Sequence, residues 1–323
     1  MKSAFLAAAL CALVLPRLWA ENKFVADNGE DGYIIASDGY SFQGNYRASI
    51  DLLEKSLPGV TVAEEQAEIY WRLSRDTLRL ADDLGWQGAA SGEASPHARR
   101  AATAKLLSMY KEGEAYADHA ISLEPSRAEG YLWKAANIDR WAQTRGILAS
   151  LYETGPMRRL LVTAAHLDPS LADVWFVLAQ LYSQVPGYPL SFGNDAWAVS
   201  LGRKAIDARA AELQKGLVRS IPAEYYIRLA EELAKRDWTE STRITEHEAE
   251  AQQFFLLSGL VRKSVYYEGT IPIPNLSDRQ EAIDLVRKVV NTLLDTPNRT
   301  IAENRALSQA QADLYEWTTP PSP

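Results

Sequence analysis

The sequence predicts an all-α protein whose helical-hairpin repeats form a single α-solenoid-like domain. Three observations carry that expectation. One phrase occurs twice, as Ala120-Ile121-Ser122-Leu123-Glu124-Pro125 and as Ala164-Ala165-His166-Leu167-Asp168-Pro169. Downstream of each proline, small and large residues recur at helical spacing. Stretches with the period-2 alternation of strands are almost absent, and β-branched runs are short.

Taken in order, residues 1–20 read as a signal peptide. Lys2 precedes a continuous apolar run from Ala4 to Leu15, Pro16-Arg17 breaks it, and Leu18-Trp19-Ala20 ends on a small residue before Glu21. Twelve helical residues reach only about 18 Å, short of the roughly 30 Å of a bilayer core. Export is therefore expected, and a large exported chain left without cysteine fits a bacterial periplasm. The only cysteine, Cys11, lies in this run, and Leu10 before it speaks against lipidation. Cleavage would leave no thiol for disulfides, metal sites or nucleophilic catalysis.

Residues 21–317 read as the helical-repeat domain, clearest over 31–58, 98–125, 128–169 and 172–206, with 318–323 a disordered tail. The repeated phrase resembles the end of the second helix of a tetratricopeptide repeat, where proline stops the helix and fixes the corner. After Pro169, Trp175, Leu178, Ala179 and Tyr182 fall at the large, apolar, small and aromatic positions of a following first helix. Tyr131, Lys134, Ala135 and Ile138 fall at the same positions after Pro125. Small residues such as Ala135 and Ala179 let two helices approach closely.

Earlier, Tyr33, Ala36 and Tyr40, then Gly44-Asn45-Tyr46 and Leu53, mark another hairpin. Ala101, Ala104, Gly113, Ala117 and Ala120 belong to the unit ending at Pro125. Gly85 to Pro96, with three glycines, predicts a mobile surface loop. Between the helices of the 172–206 unit, Ser183 to Asp195 is an insertion too rich in proline and glycine for a helix. Val185, Tyr188, Leu190 and Phe192 predict that it packs across the repeat surface, with Asn194 or Asp195 capping the next helix. In the last third, helices are expected over 223–236, 245–265, 281–294 behind a capping box at Ser277, and 302–317.

The composition excludes some functions. Lys plus Arg is 34 against Asp plus Glu 42, a net charge of -8, and no basic run occurs. Nucleic acid is an unfavourable partner for such a chain. His247-Glu248 opens like a zinc-protease motif, but Ala251 stands where the second histidine belongs. No nucleophile elbow, phosphate loop or dinucleotide fingerprint is present, so no catalytic set, cofactor or metal is expected. Acidic pairs such as Glu231-Glu232 read as solvated helix faces.

Aromatic density does stand out. Residues 131–197 hold ten aromatics, about 15% against 10% for the chain. Tyr131, Trp133, Asn137, Trp141, Trp175, Tyr182 and Phe192 read as lining for an apolar ligand cleft on the concave side of the repeats. For any single one of these aromatics core filler is the more ordinary reading, with Asn137 then a helix–helix hydrogen bond. Tyr188, Gly193, Asn194 and Asp195 mark the inserted loop as a partner-facing element.

Glu129-Gly130-Tyr131-Leu132-Trp133-Lys134-Ala135-Ala136-Asn137, Trp141, Leu167-Asp168-Pro169, Ser191-Phe192-Gly193-Asn194-Asp195 and Asn304-Arg305-Ala306 together resemble the T-components of tripartite ATP-independent periplasmic (TRAP) transporters. The family usually has Gly-Gly in the phenylalanine-glycine loop, where Asn194 replaces the second glycine here. The resemblance implies a periplasmic helical-repeat homotrimer with an internal channel and hydrophobic clefts. It also implies docking of the substrate-binding P-component and transfer of a hydrophobic ligand. The alternative left open by the residues is an exported scaffold for envelope assembly that binds protein alone.

Overall fold

The computed structural model describes residues 32–90 and 95–319. The expected signal peptide, Cys11, Gly92 and the last four residues of the expected tail lie outside the described residues. Thirteen α-helices and two short 3-10 turns form the described chain, and it has no named strand. The fold is an all-α, tetratricopeptide-like solenoid.

Helices α1 (Gly32–Phe42) and α2 (Tyr46–Ser56) form the first hairpin. Its turn needs a left-handed residue, which Gly44 supplies at φ +74°. Asn45 then caps α2 by accepting from Ala48 N at 3.3 Å. The second hairpin is longer than expected: α3 (Ala63–Ala90) and α4 (Pro96–Leu123) each have 28 residues. The predicted loop from Gly85 is thus helical as far as Ala90. Gly85 serves close helix approach, since a Cβ there would lie 3.3 Å from Leu106 of α4. The 98–125 stretch is correspondingly one helix, the second half of a hairpin begun by α3. Ser95 and Pro96 start α4 as N-cap and first helical residue.

Helices α5 (Ala128–Arg145) and α6 (Ile147–Leu167), then α7 (Ala172–Gln184) and α8 (Asp195–Gln214), form the two hairpins that the repeated phrase predicts. Their corners are built alike. Glu124 N bonds Ala120 O and Asp168 N bonds Ala164 O, each at 2.9 Å, so both chains leave their helix by the same hydrogen bond. One residue past each acid, proline ends the helix. Then a large aromatic reaches back to the proline carbonyl, Tyr131 Oη to Pro125 O at 3.1 Å and Trp175 Nε1 to Pro169 O at 2.9 Å.

The remaining helices are α9 (Ala223–Arg236), α10 (Glu240–Leu256), α11 (Leu260–Ser264), α12 (Asp278–Leu294) and α13 (Ile301–Thr318). The single helix expected over 245–265 is interrupted between α10 and α11, where Gly259 takes φ +94°. At α12 only half of the expected capping box forms. Ser277 accepts from Gln280 N, but the Gln280 side chain turns to Asp284. The reciprocal box occurs instead at α13, between Thr300 and Glu303.

Helices α3, α5, α7 and α9 contact one another in succession and form the inner layer, while α4, α6 and α8 pack between and behind them. The largest core cluster centres on α5 to α8 and takes in Trp71 of α3 and Tyr225 of α9, and a second joins α9, α12 and α13 with Val199 of α8. Curvature brings the end of the chain back to its beginning. Thr300 packs against Gly44, and Arg305 of α13 meets Asp83 of α3 at 3.5 Å.

Candidate ligand groove

The inner layer encloses a concave groove of about 3470 Å³. Its walls follow from helical spacing. Trp71, Arg75, Leu78 and Asp82 recur every three or four residues along α3, as do Leu132, Ala136 and Asp139 along α5 and Asp173, Phe176 and Gln180 along α7. Each inner helix thus presents one stripe, and stacking turns four stripes into a surface. Tyr225 and Tyr226 of α9 continue it.

The wall is dense in charge, yet most of the charge is already paired. Asp38 accepts from Arg72 at 2.9 Å and from Arg75 at 3.0 Å. Burial would raise the Asp38 pKa, but the two guanidiniums prevail and hold it below the usual value. Arg140 pairs with Asp82 at 3.0 Å. Arg209 is shared between Asp173 and Glu212, and the Tyr225 hydroxyl donates to Asp173. There too burial opposes ionisation, and Arg209 keeps Asp173 charged. Burial, then Asp173, pushes the Tyr225 hydroxyl well above its ordinary pKa, so it acts as a fixed donor.

Between these ions the wall carries aromatic side chains. The Arg72 guanidinium lies 4.0 Å from the Trp71 ring centroid, and Phe176 stacks on Tyr225 at 4.3 Å. The arrangement can bind and orient, and its lining Ser41, which donates to Asp76 at 2.8 Å, is tied up with Arg75 and Ser49 on the same carboxylate.

Of the residues expected to form the cleft, Trp133 alone lines this groove. Tyr131 and Trp175 fasten the helix corners, and Trp175 is fully buried at 0% exposure. Asn137 is also buried, donating to Ser74 Oγ at 3.0 Å and to Trp133 O at 2.9 Å. It is the helix–helix hydrogen bond of the alternative reading. Trp141 packs toward α4, with Lys111 Nζ 4.4 Å from its ring centroid. Tyr182 is buried, accepts from Arg158 Nε at 3.0 Å, and meets the edge of Phe192 at 5.6 Å.

The inserted loop only partly packs down. Val185 is buried and Phe192 half-buried, but Tyr188 is 93% and Leu190 84% exposed at its tip. Gly193 is required at its base, where a Cβ would meet Val185 O at 1.9 Å. Asn194 is the cap, accepting from Trp197 N at 3.0 Å, while Asp195 pairs with Lys235 at 2.9 Å. Glu232 is another correction: it is buried between α8 and α9 beneath Gly202, and neither carboxylate oxygen has a hydrogen bond.

Trp71, Arg79, Phe176, Arg209 and Tyr225 are groove residues that sequence reasoning missed. The legible signal was Trp71-Arg72 followed by Arg75 and Arg79, an aromatic and three cations on one helix face. No protein-family model matches the chain, and no curated protein matches it.

Proposed function

We propose that this protein is a non-catalytic periplasmic binding module, the T-component of a TRAP-type uptake system. In this reading the groove takes a hydrophobic ligand and the inserted loop, led by Tyr188 and Leu190, docks the P-component. The observation that carries it is the groove itself, most of whose arginines are paired with acids and whose wall includes Trp71, Trp133, Phe176 and Tyr225. The ligand surface is accordingly Trp71, Trp133, Phe176 and Tyr225 rather than the aromatic set of residues 131–197. The homotrimer belongs to the same proposal and follows from the resemblance.

One observation favours the second reading, a scaffold that binds protein. At about 3470 Å³ the groove is several times larger than the roughly 300–1,000 Å³ of ordinary small-molecule pockets, which leaves room for a polypeptide segment. Native mass spectrometry of the exported chain, purified without detergent, separates the two. A trimer carrying additional apolar mass is the outcome expected of a T-component. A bare monomer that captures a peptide and no lipid-like ligand overturns it in favour of the scaffold.

A further inference from the structure

Arg79 is the inner-face arginine of α3 that has no counter-ion. Arg72 and Arg75 hold Asp38, Glu68 and Asp76 between them, whereas Arg79 makes no ion pair among the described residues. Its guanidinium donates to Ser41 Oγ at 3.1 Å and lies 5.5 Å from the Trp133 ring centroid, on the groove wall. Three acids near it are engaged elsewhere. Asp173 is held by Arg209, Asp83 faces Arg305, and Asp76 accepts from Arg75, Ser41 and Ser49.

A second group beside it also lacks a partner. Tyr46 lines the groove within reach of the Arg79 charge, and no hydrogen bond reaches its hydroxyl among the described residues. A guanidinium offers five N–H donors in a planar fork. Arg79 is half-buried with donors open to the groove, and a carboxylate accepts from several of them at once in a charge-assisted pair. The indole face of Trp133 alongside provides apolar contact for whatever carries that carboxylate.

We propose that Arg79, the Tyr46 hydroxyl and the Trp133 face form the anchor for an amphipathic monocarboxylate, with its head group on Arg79 and its apolar chain along the aromatic wall. The inference rests on the groove being a small-ligand site and names the chemistry of that ligand. A single charge is specified because Glu224 lines the same groove, makes no ion pair among the described residues, and repels a second carboxylate.

The test is calorimetric titration of the intact protein with dodecanoate and with dodecan-1-ol, which share a chain and differ in charge. Dodecanoate is expected to bind on the order of tenfold more tightly or better, the range of a charge-assisted hydrogen bond. Arg79→Gln should abolish that preference while leaving dodecanol binding in place. Tyr46→Phe removes no protein hydrogen bond and so keeps the fold; it should reduce the preference by several-fold and decides the matter if Arg79→Gln does not fold. Equal binding of both probes, or a preference that survives in these variants, overturns the anchor and leaves the groove reading standing. Failure of both probes to bind overturns the two together.

Discussion

At the scale of single residues, the same residue type does different work according to where the solenoid places it. Trp175 and Trp133 are the clearest pair. Trp175→Ala empties a fully buried site and should cost about 3–5 kcal/mol, read as a lower urea midpoint. Trp133→Ala, in the same core cluster but on the groove wall, should lower stability less, leave most helicity by circular dichroism, and also weaken groove binding. Gly113 is a second case. A Cβ there would sit 2.2 Å from Asn137 Oδ1, so Gly113→Ala should destabilise by about 1–3 kcal/mol through overpacking. Asn137→Ala in the same chain should recover part of that loss, a coupling measurable by a double-mutant cycle. The sequence could not separate Trp175 from Trp133. Both follow a proline at a recurring phrase and both join the core cluster; only the corner hydrogen bond from Trp175 to Pro169 and the place of Trp133 on the groove wall tell them apart.

At the scale of elements, α10 is held by charge rather than by apolar burial. Its two buried side chains are Arg243 and Glu250. Arg243 donates to Glu281 at 2.6 Å and to Leu276 O at 2.8 Å, inside a network that also contains Arg203, Arg236, Glu268 and Asp278. Glu250 beside it has its pKa pushed up to about 8, first by burial and then by Glu268. The folded chain therefore retains a proton that the unfolded chain releases above about pH 4.3. Stability from this group falls as pH rises from there toward 8. Glu250→Gln should remove that slope. The variant and the parent are expected to match near pH 4 and to differ by about 1–3 kcal/mol near pH 8, with α10 amides exchanging fastest in the parent. Elements such as α5 to α8 were legible because their signals are local: an acid, a proline and a small residue at fixed offsets. The extension of α3 through Gly85 and the break before α11 were not. In the first, contact with Leu106 overrides a local breaker; in the second, an amphipathic pattern continues across a backbone turn.

At the scale of the whole molecule, the groove exists because the inner helices curve until the two ends meet. No pattern in the sequence shows which stripes on α3, α5, α7 and α9 face one another, since that depends on the summed tilt of several hairpins. The seam between the ends is slight. Arg305→Gln takes the partner from a buried carboxylate, Asp83 at 5% side-chain exposure, and should lower global stability by about 1–3 kcal/mol, well short of unfolding the chain. Hydrogen exchange around residues 300–310 should rise, because that pair is one of the few contacts joining α13 to α3. If exchange there is unchanged, the seam is held by packing of Thr300 on Gly44 alone. The separation of the two partners, 222 residues, also sets an order of events during folding. Joining them in a flexible chain would cost about 5 kcal/mol of loop-closure entropy, more than such a pair returns. The meeting becomes affordable only after the intervening hairpins have stiffened the path between them. Arg305 and Asp83 are thus the last to find each other, and the cavity acquires its final outline in the closing step of assembly.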